Sequence, residues 1–285
     1  MTVTPPEPTA AASGASATER FHADKSPFGA VKDLPAERVD LLAREVLEAV
    51  NATIRKHHVT YAEYNALKAW LIQVGLDGEW PLFLDVWIEH SVEDVATAHR
   101  HGNKGSIEGP YYVPGAPELG AQARLTMREN ERGIPLVWEG AIRSTDGSAL
   151  TGKIELWHAD DDGYYSQFAP GIPKWNLRGS FSTGPDGKFT ITTIRPAPYQ
   201  IPTDGACGKL IAAAGWHAWR PAHLHVKVSA SGHELLTAQL YFPGDPHNGD
   251  DVASAVKPEL MLDPEEQSDG SYRVVYNFVL DRVGS

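Results

Sequence analysis

The sequence predicts a mixed α and β chain, with an N-terminal helical region followed by an all-β sandwich. Three observations predict it. Apolar residues recur at steps of three and four from about Pro35 to Ala96, the period shortens to two from roughly Gly115 onward, and glycine-containing turn signals separate the short alternating segments. The implied organisation is a tail over residues 1–30, a helical region over 31–114 and a β domain over 115–285.

The opening stretch, "MTVTPPEPTAAASGASATERF", is rich in Pro, Ala, Ser and Thr and has neither a basic leader nor a strongly apolar run. It reads as a disordered tail on a cytoplasmic protein. Val39, Leu42, Val46, Val50 and Ile54 then mark one stripe of a first helix. That stripe suits either a partner chain or the protein's own β domain. In "TYAEYNALKAWLIQVG", Thr60 and Glu63 have the spacing of a capping box, and Gly75 is the expected C-terminal cap. In "EWPLFLDVWIEHSVEDV", Pro81 marks a helix start, and the apolar circumference predicts burial or contact with a partner.

The β part begins with "PLVWEGAIRSTDGSAL", read as strand, turn and strand. It continues through "KIELWHADDDGYYSQF", "SFSTGPDGKFTITTI", "AHLHVKVSASGHELLTAQLYF" and "YRVVYNFVL". The signals "TDG", "PDG" and "SASG" break it into the short strands of a sandwich.

Composition narrows the partners. The 285 residues carry a net charge of −12, with Asp+Glu 37 against Lys+Arg 25, which argues against nucleic acid as a main partner. No apolar run is long enough to insert in a membrane. A single cysteine, Cys207, precludes an intrachain disulfide and fits a reducing compartment.

The chemistry begins at "WRPAHLHVKV". His223 and His225 flank Leu224 in a strand, so both imidazoles face one way and the leucine the other. The pair is either a polar strand face or half of a metal site. His158, Asp160, Asp161 and Asp162 in "WHADDDG" and Asp245, His247, Asp250 and Asp251 in "GDPHNGDD" are further candidate ligands. Both stretches read more simply as solvated acidic turns. Tyr164 and Tyr165 follow a turn, and Tyr199 sits between prolines in "IRPAPYQIP". Phenolate is a hard oxygen donor suited to a ferric ion, and a bound cation lowers the phenol pKa.

These motifs carry a resemblance. "GSIEGPYYVPGAPE", "GKIELWHADDDGYYSQF", "WNLRGSFST", "TTIRPAPYQIPTDG" and "WRPAHLHVKVSASG", in that order, resemble the intradiol ring-cleaving catechol dioxygenases from about Val59 to Asp281. The resemblance implies one non-haem Fe(III) per chain, held by Tyr165, Tyr199, His223 and His225 with a hydroxide. Tyr164 is the adjacent decoy. It implies ortho cleavage of catechol by O2 to cis,cis-muconate, with chlorocatechol or hydroxyquinol as alternative substrates. Tyr199 would take a substrate proton, Arg220 would stabilise charge developing on the ring, and Gln239 would support the site. Leu82, Asp85, Val86, Ile107, Pro110 and Tyr111, with Val252 and Ala253, would wall the substrate. Asp85 is costly to bury without a partner and would influence which ring substituents fit. The N-terminal helices would pair two chains in a homodimer around a phospholipid or fatty acid. Cys207 stands where relatives commonly carry other residues and reads as an inert small residue rather than a reactive thiol. "FSTG" departs from the family's more usual acidic turn. The competing reading is a non-catalytic transthyretin-like module, which needs neither the His-x-His nor the helical region.

Overall fold

The computed structural model describes residues 34–284. The tail predicted over 1–30 lies outside them. Four helices come first: α1 (Ala36–His57), α2 (Tyr61–Leu76), α3 (Trp80–Trp87) and α4 (Glu89–Thr97). The capping box forms at α2, where the Glu63 amide donates to the Thr60 hydroxyl and the Thr60 amide to the Glu63 carboxylate. Pro81 opens α3. Gly75 is not the cap. It lies inside α2, where it gives the Trp80 indole room, and the left-handed residue is Gly78, at φ 65°. The segment expected as one helix after Pro81 divides at Ile88, whose φ of −127° is not helical.

No residue of α1 is buried, and Val39, Leu42, Val46, Leu47 and Val50 are all exposed. The stripe therefore does not pack on the chain's own β domain. No helix among the described residues is long and apolar enough to cross a membrane.

The strands are β1 (Glu118–Leu119), β2 (Gln122–Arg124), β3 (Pro135–Ser144), β4 (Gly152–Trp157), β5 (Arg178–Ser182), β6 (Lys188–Ile194) and β7 (Tyr199–Gln200). After helix α5 (Ala206–Ala214) come β8 (Trp219–Arg220), β9 (His223–Ala230), β10 (Leu236–Tyr241), β11 (Glu265–Glu266), β12 (Tyr272–Val275) and β13 (Phe278–Leu280). One sheet has the order β1-β5-β4-β9-β10, and the other β11-β12-β3-β6-β2, with β13 also on β3. Trp138, Ile191 and Phe278 from the second sheet meet Ile154, Phe181, Leu224, Val226 and Val228 from the first in one buried cluster. That shared core makes the two sheets a sandwich.

A second apolar cluster lies on the outer face of the first sheet. It joins Leu82 and Val86 of α3 to Trp157, Tyr165, Tyr199, Ile211 and Ala253. A chain of rings docks the helices here, with Trp70 on Phe83 at 5.3 Å, Phe83 on Trp87 at 5.6 Å and Trp87 on Trp216 at 6.3 Å. The Trp70 indole also donates to the Ala206 carbonyl at 2.7 Å.

Candidate active site

Strand alternation decides which face each residue of β9 serves. Leu224, Val226 and Val228 fill the sandwich core, so His223 and His225 face the second cluster. Register adds their neighbours. On β10, Tyr241 lies opposite His223 and Gln239 opposite His225, while Trp157 of β4 lies opposite His225 on the other side. Trp157 stacks on the His225 ring at 4.8 Å and 12°. A separate ribbon pairs Tyr199 of β7 with Arg220 of β8, which carries the second tyrosine to the same place.

Tyr164 is 59% exposed, whereas Tyr165 is 3% exposed and points inward. The turn before them requires glycine. Gly163 has φ 85°, and a Cβ there would meet the Tyr199 Cβ at 2.7 Å. Tyr111 stacks on Tyr165 at 4.4 Å.

Three donor atoms converge. His223 Nε2 lies 3.0 Å from His225 Nε2, His225 Nε2 lies 3.1 Å from Tyr165 Oη, and Tyr165 Oη lies 3.4 Å from His223 Nε2. Two donors each about 2.1 Å from one ion and at right angles to each other are roughly 3.0 Å apart. The Tyr199 hydroxyl interacts with both Tyr165 and Arg220. Burial, then the Arg220 charge, pushes His223 down to about 3, so its imidazole is neutral. His223 Nδ1 lies 2.6 Å from the Pro221 carbonyl, the contact that places the ring proton on Nδ1 and leaves a lone pair on Nε2. Burial, then the neighbouring Tyr199, pushes the Tyr165 phenol well above its ordinary value. Ionising that phenol requires a strong cation. Two imidazoles and one phenol converging, with the Tyr199 phenol beside them, are a donor set that fits a ferric ion, and the phenols distinguish it from the usual zinc sets.

Arg220 is fully enclosed. Its Nε and Nη2 donate to the two Asp251 oxygens, both at 3.0 Å, Nη2 also donates to Gln239 Oε1 at 2.8 Å, and Nη1 lies 3.5 Å from His223 Nε2. Burial opposes its charge, but Asp251 and Tyr199 hold the guanidinium well above its usual pKa. Burial also opposes the charge of Asp251, which Arg220 more than offsets. Asp251 further accepts the Ala253 and Ala255 amides at 3.1 and 3.2 Å. One carboxylate thus fixes both the guanidinium and the loop bearing Val252 and Ala253.

The remaining wall comes from residues 105–111. Gly109, at φ 70°, passes so close that a Cβ would lie 3.4 Å from His225 Cε1. Gln239 donates to the Ile107 carbonyl at 3.0 Å, and the Glu89 carboxylate accepts the Glu108 and Gly109 amides. Leu82, Val86, Ile107, Tyr111 and Ala253 share the buried cluster with Tyr165 and Tyr199, with Val252 packed against it. Pro110 is buried, while Asp85 is half-buried on the α3 turn between Leu82 and Val86. A cleft of about 260 Å³, lined by Tyr111, Tyr165, Phe168, Tyr199 and Pro202, opens beside the tyrosines.

The acidic stretches are solvated turns only in part: Asp161, Asp162 and Asp250 are exposed, whereas Asp160, Asp245 and Asp251 are buried. Asp160 is buried, paired with Arg128 at 2.8 Å, and accepts the Asp162 and Tyr164 amides. Asp245 accepts the Ala222 amide at 2.9 Å, just before the histidine pair. In each case a carboxylate satisfies buried backbone donors or a cation. His158 is buried, with its Nε2 2.7 Å from the Thr193 hydroxyl and its Nδ1 2.7 Å from the Ala159 carbonyl. Cys207 is buried at the N-terminus of α5 beside Glu79, which accepts its amide at 2.8 Å. Burial and Glu79 push the thiol up, which matches an inert residue.

Sequence reasoning missed two supporting residues, Tyr241 and Arg178, and weighed Asp251 only as a candidate metal ligand rather than as the partner of Arg220. The Tyr241 hydroxyl donates to Gln239 Oε1 at 2.7 Å. Arg178 donates to the Ser166 hydroxyl and to the Tyr111 carbonyl, both at 2.8 Å. The available signal for Asp251 was the demand a buried guanidinium makes for a carboxylate.

Comparisons with known proteins identify relatives over most of the chain. A family model described as "Dioxygenase" matches residues 107–282, and one described as "Catechol dioxygenase N terminus" matches residues 36–104. The chain is 40% identical over 250 residues to a chlorocatechol 1,2-dioxygenase of Rhodococcus opacus, covering 85% of this chain and 97% of that one. It is 36% identical over 244 residues to a catechol 1,2-dioxygenase of Acinetobacter baylyi, covering 81% and 78%. A crystal structure of 3-chlorocatechol 1,2-dioxygenase from Rhodococcus opacus superposes with a TM-score of 0.84 at 43% identity, over 87% of this chain and all of the other. The match runs through the helical region as well as the sandwich, which overturns the non-catalytic module as a reading. The chain belongs to the intradiol dioxygenase family and is an oxidoreductase of the ring-cleaving type.

Proposed function

We propose that this protein cleaves catechols between their two hydroxylated carbons with O2, giving cis,cis-muconates, at one ferric ion held by Tyr165, Tyr199, His223 and His225. The observation that carries the reading is the convergence of His223 Nε2, His225 Nε2 and Tyr165 Oη within 3.4 Å of one another. Ferric iron supplies the Lewis acidity that makes a bound catecholate reactive toward O2.

The chain's own residues do the rest. Tyr199 would take the proton of a substrate hydroxyl as a phenolate, and burial favours the neutral phenol that results. Arg220, fixed by Asp251 and Gln239, directs Nη1 toward the donor cluster, where positive charge offsets the negative charge gathering on the ring. Leu82, Val86, Ile107, Pro110, Tyr111, Val252 and Ala253 form the apolar slot that excludes water and holds the ring, and half-buried Asp85 stands at its margin.

We place chlorinated catechols alongside catechol itself as substrates. The chain spans 97% of the chlorocatechol enzyme from Rhodococcus opacus but 78% of the catechol enzyme from Acinetobacter baylyi. Steady-state kcat/KM on catechol, 4-methylcatechol, 3- and 4-chlorocatechol and hydroxyquinol tests this. The expected result is chlorocatechol turnover equal to or above catechol, with hydroxyquinol slowest. A clear preference for hydroxyquinol would overturn the assignment.

The same reading gives α1 to subunit pairing. Its exposed row of Val39, Leu42, Val46, Leu47 and Val50 supports a homodimer through the N-terminal helices, and this apolar face also suits a phospholipid or fatty acid between the chains.

A further inference from the structure

A second group of metal-binding side chains lies apart from the iron ligands. His217 precedes β8, while His247 and Asp250 belong to the loop after β10. One ligand atom from each lies within 4.8 Å of the other two. Asp250 presents a different oxygen to each histidine: Oδ2 is 3.3 Å from His217 Nε2, and Oδ1 is 3.2 Å from His247 Nδ1. The rings are held from behind. His247 stacks on Trp219 at 5.0 Å and 4°, and the Trp219 amide donates to His217 Nδ1 at 3.1 Å. The side chains are 41%, 20% and 54% exposed for His217, His247 and Asp250, which leaves room for water on an ion.

We infer that His217, His247 and Asp250 form a second, surface site for a divalent transition metal of the zinc and copper class. Two imidazoles and one carboxylate are the donor set such ions take, with the remaining positions filled by water. The single negative charge of Asp250 favours a cation over either histidine acting alone. Occupancy has a definite cost. His217 Nδ1 accepts a hydrogen bond, so Nε2 carries the ring proton toward Asp250. Metal at Nε2 requires that proton to move to Nδ1, and the Trp219 amide then loses its acceptor. The site is therefore a moderate binder that fills when metal is supplied. Asp250 adjoins Asp251, so an ion here ties the entry to β8 to the loop that fixes Arg220 and carries Val252 and Ala253.

The experiment uses the full-length, untagged, iron-loaded protein dialysed against zinc chloride, with iron and zinc measured together. The expected result is one zinc per chain added to an unchanged iron content. Asp250→Asn and His247→Gln should each weaken zinc binding by at least about 10-fold without changing iron content or the visible spectrum. With copper(II) as probe, the electron paramagnetic resonance spectrum should show coupling to imidazole nitrogens that His217→Asn diminishes. Zinc binding that is equal in the variants and the parent would overturn the site, as would zinc gained only as iron is lost. Both readouts are independent of ring cleavage, so a failed substrate assignment leaves this test intact.

Discussion

Tyr165→Phe and His225→Ala should each give folded protein that purifies without iron and without ring-cleaving activity. Each change removes one donor from a cluster whose atoms lie 3.0–3.4 Å apart. Altering mere supports of a metal ligand already costs about 10–100-fold in affinity, so losing a donor costs at least that. Folding should survive, because the sandwich core is a separate cluster that contains neither side chain. Metal analysis beside far-ultraviolet circular dichroism reads both halves of the expectation. Iron at parental stoichiometry in both variants would mean that the ligand set is wrong. Tyr164→Phe is the control, since that ring is 59% exposed, and it should keep its iron.

The second large effect concerns Arg220. Arg220→Ala should keep iron and colour while kcat falls by about 100–1,000-fold, the usual loss when a fixed group facing transition-state charge is removed. Asp251→Asn should move in the same direction and also disturb substrate binding, because Asp251 holds both the guanidinium and the Ala253 and Ala255 amides. Leaving the buried guanidinium without its carboxylate costs about 3–5 kcal/mol, so Asp251→Asn should also lower the melting temperature. Single-turnover rates with catechol, read beside iron content, separate the two variants. Parental turnover in Arg220→Ala would remove its proposed role.

Much of this was legible in the sequence, for reasons that can be named. Period-two alternation at Leu224, Val226 and Val228 sends those residues to the core and so sends His223 and His225 the other way. The Thr60 and Glu63 spacing defines a helix start because both partners lie within one turn. Long-range pairing was less legible. The ribbon that sets Tyr199 opposite Arg220 joins two short strands across a helix, and no local pattern announces it. The acidic turns misled for a related reason. Asp160, Asp245 and Asp251 have the local composition of solvent-facing turns, yet each is buried against a cation or backbone amides that arrive from elsewhere in the chain. Gly75 misled locally, because room for the Trp80 indole, rather than a left-handed turn, calls for glycine there. The α1 stripe was visible, but its direction was not, since an amphipathic pattern does not say which surface covers it.

In the function we propose, two tyrosines and two histidines of this chain hold ferric iron that a catechol can reach. A visible absorption spectrum of the purified, iron-replete protein, recorded without oxygen before and after adding catechol, tests it most directly. Tyrosinate bound to ferric iron should colour the protein burgundy, and catechol should shift that band to longer wavelength as it joins the site. A colourless protein, or a band that catechol leaves unmoved, would contradict the claim.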